Sequence, residues 1–268
     1  TPEAPAPEYL HAALLPREAL SDGTAEDRLA EAGAQVALFD MKGDDGSLAY
    51  VSALDLAVRA GASSADPDRN AAIRELNGRE GLYTVARVSC FKDDKLSDAD
   101  RSLNITTNSG YRWTDPEGLK WSSPTSQTVR QYVAGVCAEL AALGFDEILL
   151  SGIYCPEGEN IAFSQPMTLT PDRASAVSSL ALYLREQAES LGVRLSALVE
   201  TDALVSGESE TIGQDLPVFF KAFDRVGFLA GESYQPALAA LTPYTDAADR
   251  ILPVTDDYAP ERTSYAVK

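Results

Sequence analysis

The sequence contains a single histidine, His11, among its 268 residues. A metal site built from several histidines is therefore excluded, and a Ser–His–Asp triad would have to use this one residue. Basic side chains are also scarce, since 22 Lys and Arg stand against 41 Asp and Glu and give a formal net charge of −19. A charge of this sign repels phosphate backbones, so we expect no nucleic-acid partner.

Cysteines and long apolar runs are rare as well. Cys90, Cys137 and Cys155 are odd in number and lack the spacing of a zinc motif, so we expect free structural thiols and no metal or cofactor. Cys90 and Cys155 end adjacent predicted strands, which leaves a disulfide between them as the alternative. No run approaches the 18 apolar residues of a membrane span, and none is predicted.

The first residues have a composition of their own. Residues 1–7 include three prolines, and we interpret residues 1–8 as a tether and residues 9–268 as one domain. A tether of this kind suits a secreted protein. We therefore expect an extracellular or cell-surface location, with any signal peptide outside this sequence.

Short apolar runs alternate with helical patterns along almost the whole chain. Runs such as residues 35–40 are continuously apolar, which is typical of parallel strands buried on both faces. The predicted strands are residues 9–15, 35–40, 82–88, 147–150, 194–199, 226–229 and 250–254. The predicted helices are residues 25–31, 68–77, 128–143, 172–191, 216–223 and 235–241.

Two α/β folds fit this alternation, a (β/α)8 TIM barrel and an open doubly wound sheet. No glycine-rich nucleotide-binding motif follows the first strand, and the units are evenly spaced over the chain. Both observations favour the barrel, which we predict. Only residues 264–267 could supply an eighth strand, so we expect the barrel to be short or irregular there.

Barrel enzymes carry their active sites at the carboxyl ends of the strands. Asp40 closes an apolar strand instead of lying in a polar loop, which makes it a candidate site residue. The further candidates at predicted strand ends are Lys42, Arg87, Ser151, Tyr154, Glu200, Glu232 and Asp256. We expect Lys42 and Arg87 to pair with acids such as Asp40, because an unpaired charge beside buried strands is costly. The alternative for each acid is that a chain of net charge −19 must place acids in loops.

The connection over residues 91–126 is too long for an ordinary loop of this fold, and such loops are often functional. It contains both tryptophans, Trp113 and Trp121. Aromatic faces beside carboxylates suit sugars, whose C–H face packs on a ring while the hydroxyls bond to acids. We predict that both bind a glycan. The alternative is that they pack the loop onto the barrel.

Five stretches carry a family resemblance. Residues 40–52 read DxKxxxGxxxYxS, residues 86–93 read ARxxxFKD, residues 113–118 and 121–124 read WxDxxG and WxxP, and residues 144–148 read GFDEI. In this order and spacing they resemble the bacterial "putative glycosyl hydrolase" family, TIM barrels distantly like the α-amylase clan. The resemblance implies a barrel that acts on or binds a cell-wall or dietary polysaccharide.

One position departs from the family pattern. The family continues GFDEIxFDYxRFP, whereas this chain has Ser151, Gly152 and Tyr154 in place of the aspartate, the tyrosine and the arginine. The aspartate is the family's catalytic carboxylate on the fourth strand. A serine hydroxyl does not replace a carboxylate as glycosidic nucleophile or base without an activating partner.

Three functions remain open. The first is a glycoside hydrolase with Asp40 and Glu200 as its catalytic pair, since Glu200 ends the fifth strand, where amylase-like barrels keep the general acid. The second is a non-catalytic carbohydrate-binding barrel, and the third is a surface module that binds another protein. The partner in the first two cases is a glycan.

Overall fold

The computed structural model describes residues 9–158, 160–163, 172–256 and 264–267. The predicted tether, residues 1–8, lies outside the described residues. The strands are β1 (His11–Leu15), β2 (Val36–Lys42), β3 (Tyr83–Ser89), β4 (Ile105–Thr107), β5 (Glu147–Ser151), β6 (Ile161–Phe163), β7 (Arg194–Val199), β8 (Arg225–Leu229), β9 (Ile251–Thr255) and β10 (Tyr265–Val267).

Eight of these strands close into a parallel barrel in the order β1, β10, β9, β8, β7, β5, β3, β2. This confirms the predicted TIM barrel. The eighth strand, β10, has three residues and pairs with both β1 and β9, so the barrel closes through a short strand, as expected. The strands β4 and β6 form a separate antiparallel pair.

Helices connect the barrel strands on the outside. They are α1 (Ala25–Ala32), α2 (Asp55–Arg59), α3 (Arg69–Asn77), α4 (Asp94–Ala99), α5 (Gln127–Ala142), α6 (Arg173–Leu191), α7 (Thr201–Ser206), α8 (Leu216–Ala222) and α9 (Tyr234–Leu241). The sequence prediction missed the short helices α2, α4 and α7, because five or six residues show too little periodicity to be recognised. No helix of the described part of the chain is long and apolar enough to cross a membrane.

Alternate residues of the strands belong to two cores. Val36 and Leu38 of β2 pack inside the barrel, whereas Ala37 and Phe39 pack against the surrounding helices. Strands covered on both faces need apolar side chains at consecutive positions, which explains the continuous run in the sequence.

The bottom of the barrel interior is closed by a polar layer. The carboxylate of Glu147, fully buried at the start of β5, accepts hydrogen bonds from Tyr83 at 2.9 Å and Ser196 at 2.5 Å. It also forms an ion pair with buried Arg225. The position of Glu147 at the amino-terminal end of its strand fits a role in stability.

The three cysteines are free and buried, which confirms the expected structural thiols. The alternative disulfide between Cys90 and Cys155 is not formed. Burial raises the pKa of the Cys137 and Cys155 thiols to about 12, so both are poor nucleophiles at neutral pH.

Candidate functional site

The mouth of the barrel, at the carboxyl ends of the strands, carries a second polar layer. Leu38, Val85 and Leu149 pack inside the barrel, and residues two positions further along a strand face the same way. By this alternation the inward positions at the mouth are Asp40 on β2, Arg87 on β3, Ser151 on β5 and, directly after β7, Glu200.

Asp40 is held by two guanidinium groups. Asp40 and Arg87 are register partners on neighbouring strands, and Nη1 of Arg87 lies 2.8 Å from Oδ1 of Asp40. Arg17 approaches from the other side, donating from Nε to the Asp40 carbonyl oxygen at 2.8 Å and lying 3.4 Å from Oδ2. The expected pairing of Arg87 with Asp40 is therefore present, and Arg17 is an additional partner.

Asp44 is a second carboxylate on Arg87. Its Oδ1 lies 2.8 Å from Nη2 of the guanidinium. Burial raises the pKa of Asp44, but the charge of Arg87 and the hydroxyl of Ser89 outweigh burial and bring the pKa below its ordinary value. The sequence prediction missed this residue, because residues 44 and 45 are adjacent acids in one polar turn and nothing in the pattern separates them.

Lys42 pairs with an acid, as expected, but its partner is Asp93 and not Asp40. A register irregularity falls between Asp40 and Lys42 on β2. The Lys42 side chain is fully buried, with Nζ 2.9 Å from Oδ2 of Asp93 and 2.8 Å from the Ser89 carbonyl oxygen. This buried ion pair joins the end of β2 to Asp93, the N-cap residue of α4.

Lys92 joins the long connection to the mouth. Its ammonium lies 2.9 Å from Oε2 of Glu117 and 3.6 Å from Oδ2 of Asp115. It also lies 5.7 Å from the ring centre of Trp121, and Trp121 donates from Nε1 to Asp115 at 2.9 Å. Asp115 is the aspartate of the WxDxxG stretch, but its contact with Lys92, like that of Glu117, could not be predicted because the folding of the loop sets it.

The two tryptophans have different surroundings. Trp121 is 1% exposed, so it packs the loop onto the barrel, which was the alternative interpretation. Trp113 is partly exposed and meets the edge of Trp121 at 6.3 Å between ring centres. Tyr154 meets the other side of Trp121 at 5.1 Å, so the three rings form one aromatic wall beside the mouth.

Glu200 is half-buried at this wall. Burial raises the pKa of its carboxyl, and the negative charges of Asp202 and Glu117 raise it further. The cation of Lys92 and the hydroxyl of Tyr154 oppose this shift without cancelling it. The result is a carboxyl that keeps its proton to a higher pH than an ordinary glutamate.

Ser151 leaves the fourth barrel strand without a carboxylate at the level of the mouth. The residue is 6% exposed, and its hydroxyl donates to the Val88 carbonyl oxygen at 3.5 Å. Gly152 follows with a φ of +60°, a conformation in which a residue with a side chain is disfavoured.

Two predicted site residues lie further out. Glu232 and Asp256 are exposed on the loops after β8 and β9. Among the described residues no hydrogen bond or ion pair joins Glu232 to Asp40, Arg87 or Glu200. No group of three or more His, Cys, Asp or Glu side chains in the described ranges is arranged to hold a metal ion.

The comparisons with known proteins agree with this fold. The model of a family described as "Putative glycosyl hydrolase domain" matches residues 27–234. The chain belongs to this family. No curated protein matches the sequence.

Solved structures similar to this chain are barrels of the same kind. A hypothetical protein from Ruminiclostridium thermocellum is 25% identical with a TM-score of 0.59, and the match covers 69% of this chain and 96% of that one. The PgaB (BpsB) glycoside hydrolase domain from Bordetella bronchiseptica is 13% identical with a TM-score of 0.60 and coverages of 98% and 94%. An exo-β-N-acetylglucosaminidase from Vibrio harveyi, in complex with N-acetylglucosamine, is 13% identical with a TM-score of 0.58. The match covers 96% of this chain and 44% of that one.

Several motif residues of this family member support the mouth without entering it. The carboxylate of Glu139 on α5 accepts hydrogen bonds from Tyr50 at 2.8 Å and Ser52 at 2.6 Å, which fastens the connection after β2 to the outer layer. Gly46, at φ +85°, lies so close to Asp93 that a Cβ would stand 1.9 Å from its Oδ1. The glycine therefore permits the buried ion pair with Lys42.

Proposed function

We propose that the mouth of the barrel binds a glycan. The observation that carries the proposal is the junction of a half-buried Glu200 with the aromatic wall of Trp113, Trp121 and Tyr154. A sugar presents C–H groups on one face and hydroxyls around its rim. The partly exposed rings of Trp113 and Tyr154 offer the ring surface, with buried Trp121 packed between them, and Glu200 and Tyr154 offer hydrogen-bond partners for the hydroxyls.

The family and its structural neighbours support the same ligand class. The family description names a glycosyl hydrolase domain, and the Vibrio harveyi neighbour is in complex with N-acetylglucosamine. Glycans of this type are therefore the first ligands to test. A polysaccharide does not cross a membrane, so we also propose that the protein meets its ligand outside the cell, at the cell surface or in the medium.

The test is direct binding to a panel of oligosaccharides, measured by calorimetry and including N-acetylglucosamine oligomers. Trp113→Ala should weaken binding of the best ligand roughly tenfold, which corresponds to ~1.4 kcal/mol. Tyr111→Ala is the matched control, because Tyr111 is an aromatic residue of the same connection that is 70% exposed. It should bind like the unmodified protein.

Two results would contradict the proposal. One is the absence of binding to every member of a panel that covers neutral, amino and acidic sugars. The other is an equal loss of affinity in Trp113→Ala and Tyr111→Ala. The proposed location is tested by fractionating the source organism with an antibody, and detection only in the cytoplasm would contradict it.

A further inference from the structure

The mouth lacks the carboxylate that its family carries on the fourth barrel strand, and a neighbouring segment supplies another one. Ser151 of β5 and Ser89 of β3 are register partners on adjacent strands. Asp44, from the turn after β2, interacts with the Ser89 hydroxyl and lies 2.8 Å from Arg87. A carboxylate therefore stands next to the position from which the family aspartate is missing.

We propose that Asp44 replaces this missing carboxylate and that Asp44 and Glu200 together hydrolyse the glycan bound at the mouth. The inference rests on the proposed function, because it concerns the same site and the same ligand. Asp44 lies outside the family motif, whose spacing fixes residues 40, 42 and 46 but leaves residue 44 open.

The surroundings of the two carboxyls suit different roles. Asp44 is kept ionised by Arg87, and 36% of its side chain remains accessible to a ligand. Glu200 keeps its proton to a higher pH because of burial and nearby acids. Arg87, which holds Asp44 at 2.8 Å, and Glu200 both occupy inward positions at the carboxyl ends of their strands, so the two carboxyls lie at one mouth. Carboxyl pairs whose pKa values are pushed apart in this way divide into an ionised nucleophile and a general acid.

Asp40 is less suited to the role that the sequence analysis gave it. Its two carboxylate oxygens face Arg87 and Arg17 respectively, and its side chain is 30% exposed. Asp40 shares Arg87 with Asp44. It therefore acts as a positioning residue that orients the guanidinium, and Asp44 takes its place in the catalytic pair.

The reaction balances with water as the only co-reactant. In the first step the Asp44 carboxylate bonds to the anomeric carbon while the glycosidic C–O bond breaks, and Glu200 gives its proton to the departing oxygen. In the second step Glu200 takes a proton from water, the water oxygen bonds to the anomeric carbon, and the ester to Asp44 breaks. Both carboxyls return to their starting states, and the product keeps its anomeric configuration.

The experiment uses the oligosaccharide that binds best and follows reducing ends, with binding measured separately. Asp44→Asn should reduce turnover at least ~100-fold while changing affinity less than threefold. Asp45→Asn is the matched control, since the Asp45 carboxylate accepts hydrogen bonds from Ser47 within its own turn. It should retain full turnover.

A second measurement works on the unmodified protein and does not depend on how a variant folds. A 2-deoxy-2-fluoro glycoside of the bound sugar with an activated leaving group slows both steps but keeps the first faster than the second, so the ester accumulates. Mass spectrometry of the digested protein should then find the sugar on the peptide that contains Asp44. The configuration of the first product, followed by NMR, should be retained.

The outcomes separate this inference from the proposed function. If no glycan binds, the proposed function is wrong and the inference fails with it. If a glycan binds but is not cleaved, the binding proposal stands and the catalytic inference is wrong. Full turnover by folded Asp44→Asn, a label on another residue, or an inverted product would also overturn the role of Asp44.

Discussion

The bottom and the mouth of the barrel each carry a layer of charged side chains, but in opposite surroundings. At the bottom, Glu147 is fully buried, and its carboxylate bonds to Arg225, Tyr83 and Ser196. At the mouth, Asp44 shares an arginine with Asp40, and 36% of its side chain stays accessible. The apolar core inside the barrel lies between the two layers.

The difference separates stability from function. A buried carboxylate whose bonds are all taken by protein has no capacity left for a ligand, and removing it leaves its partner desolvated. A carboxylate that is partly solvated contributes little to stability and can still reach a ligand. The exposure of each layer, and not its charge, therefore indicates its role.

The largest effect is expected from the bottom layer. Glu147→Gln removes the carboxylate charge that faces the buried Arg225 guanidinium and should lower the free energy of unfolding by about 3–5 kcal/mol. Glu189→Gln is the control, because its carboxylate is 62% exposed in its pair with Arg185 and should cost less than ~1 kcal/mol. Urea denaturation measures both, and equal losses would contradict the comparison.

The next largest effect is expected at the buried ion pair of Lys42 and Asp93. Gly46→Ala adds backbone strain of ~1–2 kcal/mol at φ +85° and a further ~1–3 kcal/mol from its overlap with Asp93. Gly110→Ala has nearly the same φ, +80°, and no atom near its Cβ, so only the strain should remain. Thermal or urea unfolding measures the difference between the two variants, which reports the crowding at Asp93. No difference would show that the pair tolerates displacement.

A smaller loss is expected at the mouth. Asp40→Asn removes a carboxylate that is 30% exposed and paired with two arginines. Solvent screening limits the contribution of such pairs, so the free energy of unfolding should fall by no more than ~1 kcal/mol. A loss as large as that of Glu147→Gln, measured in the same urea titration, would show that the mouth is as structural as the bottom.

The smallest effect is a pH dependence of opposite sign at the two carboxyls. The pKa of Glu200 is raised above its ordinary 4.5, so the folded protein loses stability as the pH rises from 4.5 through that value. Glu200→Gln should therefore gain stability relative to the unmodified protein over this range, by less than ~1 kcal/mol because the site is partly solvated.

Asp44 should behave in the opposite way. Its pKa is lowered from an ordinary 3.8, so its contribution to stability is present above 3.8 and is lost as the pH falls through the lower folded value. Relative to the unmodified protein, Asp44→Asn should thus become less stable as the pH rises through this window. Urea titrations at several pH values measure both variants, and curves of the same sign would contradict the assigned surroundings.

Much of the fold could be predicted from local pattern. Continuous apolar runs such as residues 35–40 require burial on both faces. The ends of two helices could be predicted from Gly33 and Gly192, because glycine readily adopts the positive φ that both residues have in the structure. The number and even spacing of the strand–helix units then predict the barrel. The short helix α4 is too short to show periodicity, and the strands β4 and β6 could not be predicted because they form only by pairing with each other across the sequence.

The site was predictable in position but not in its partners. Alternation along β2, β3 and β5 brings Asp40, Arg87 and Ser151 to one level, which the strand ends already indicated. The expected ion pair of Lys42 with an acid is present, but the acid is Asp93 and not Asp40, because a register irregularity after Asp40 changes the direction of that side chain. Such an irregularity leaves no trace in the hydrophobic pattern.

The sequence by itself determined the barrel, its family and the absence of an aspartate at residue 151, because strand periodicity and motif spacing are local properties of the chain. Only the tertiary structure distinguished the two acids of the turn after β2. Asp44 and Asp45 are adjacent and chemically alike, and they differ only in what the fold brings to them. Asp44 interacts with Arg87 and Ser89, whereas the Asp45 carboxylate accepts a hydrogen bond from Ser47 of its own turn.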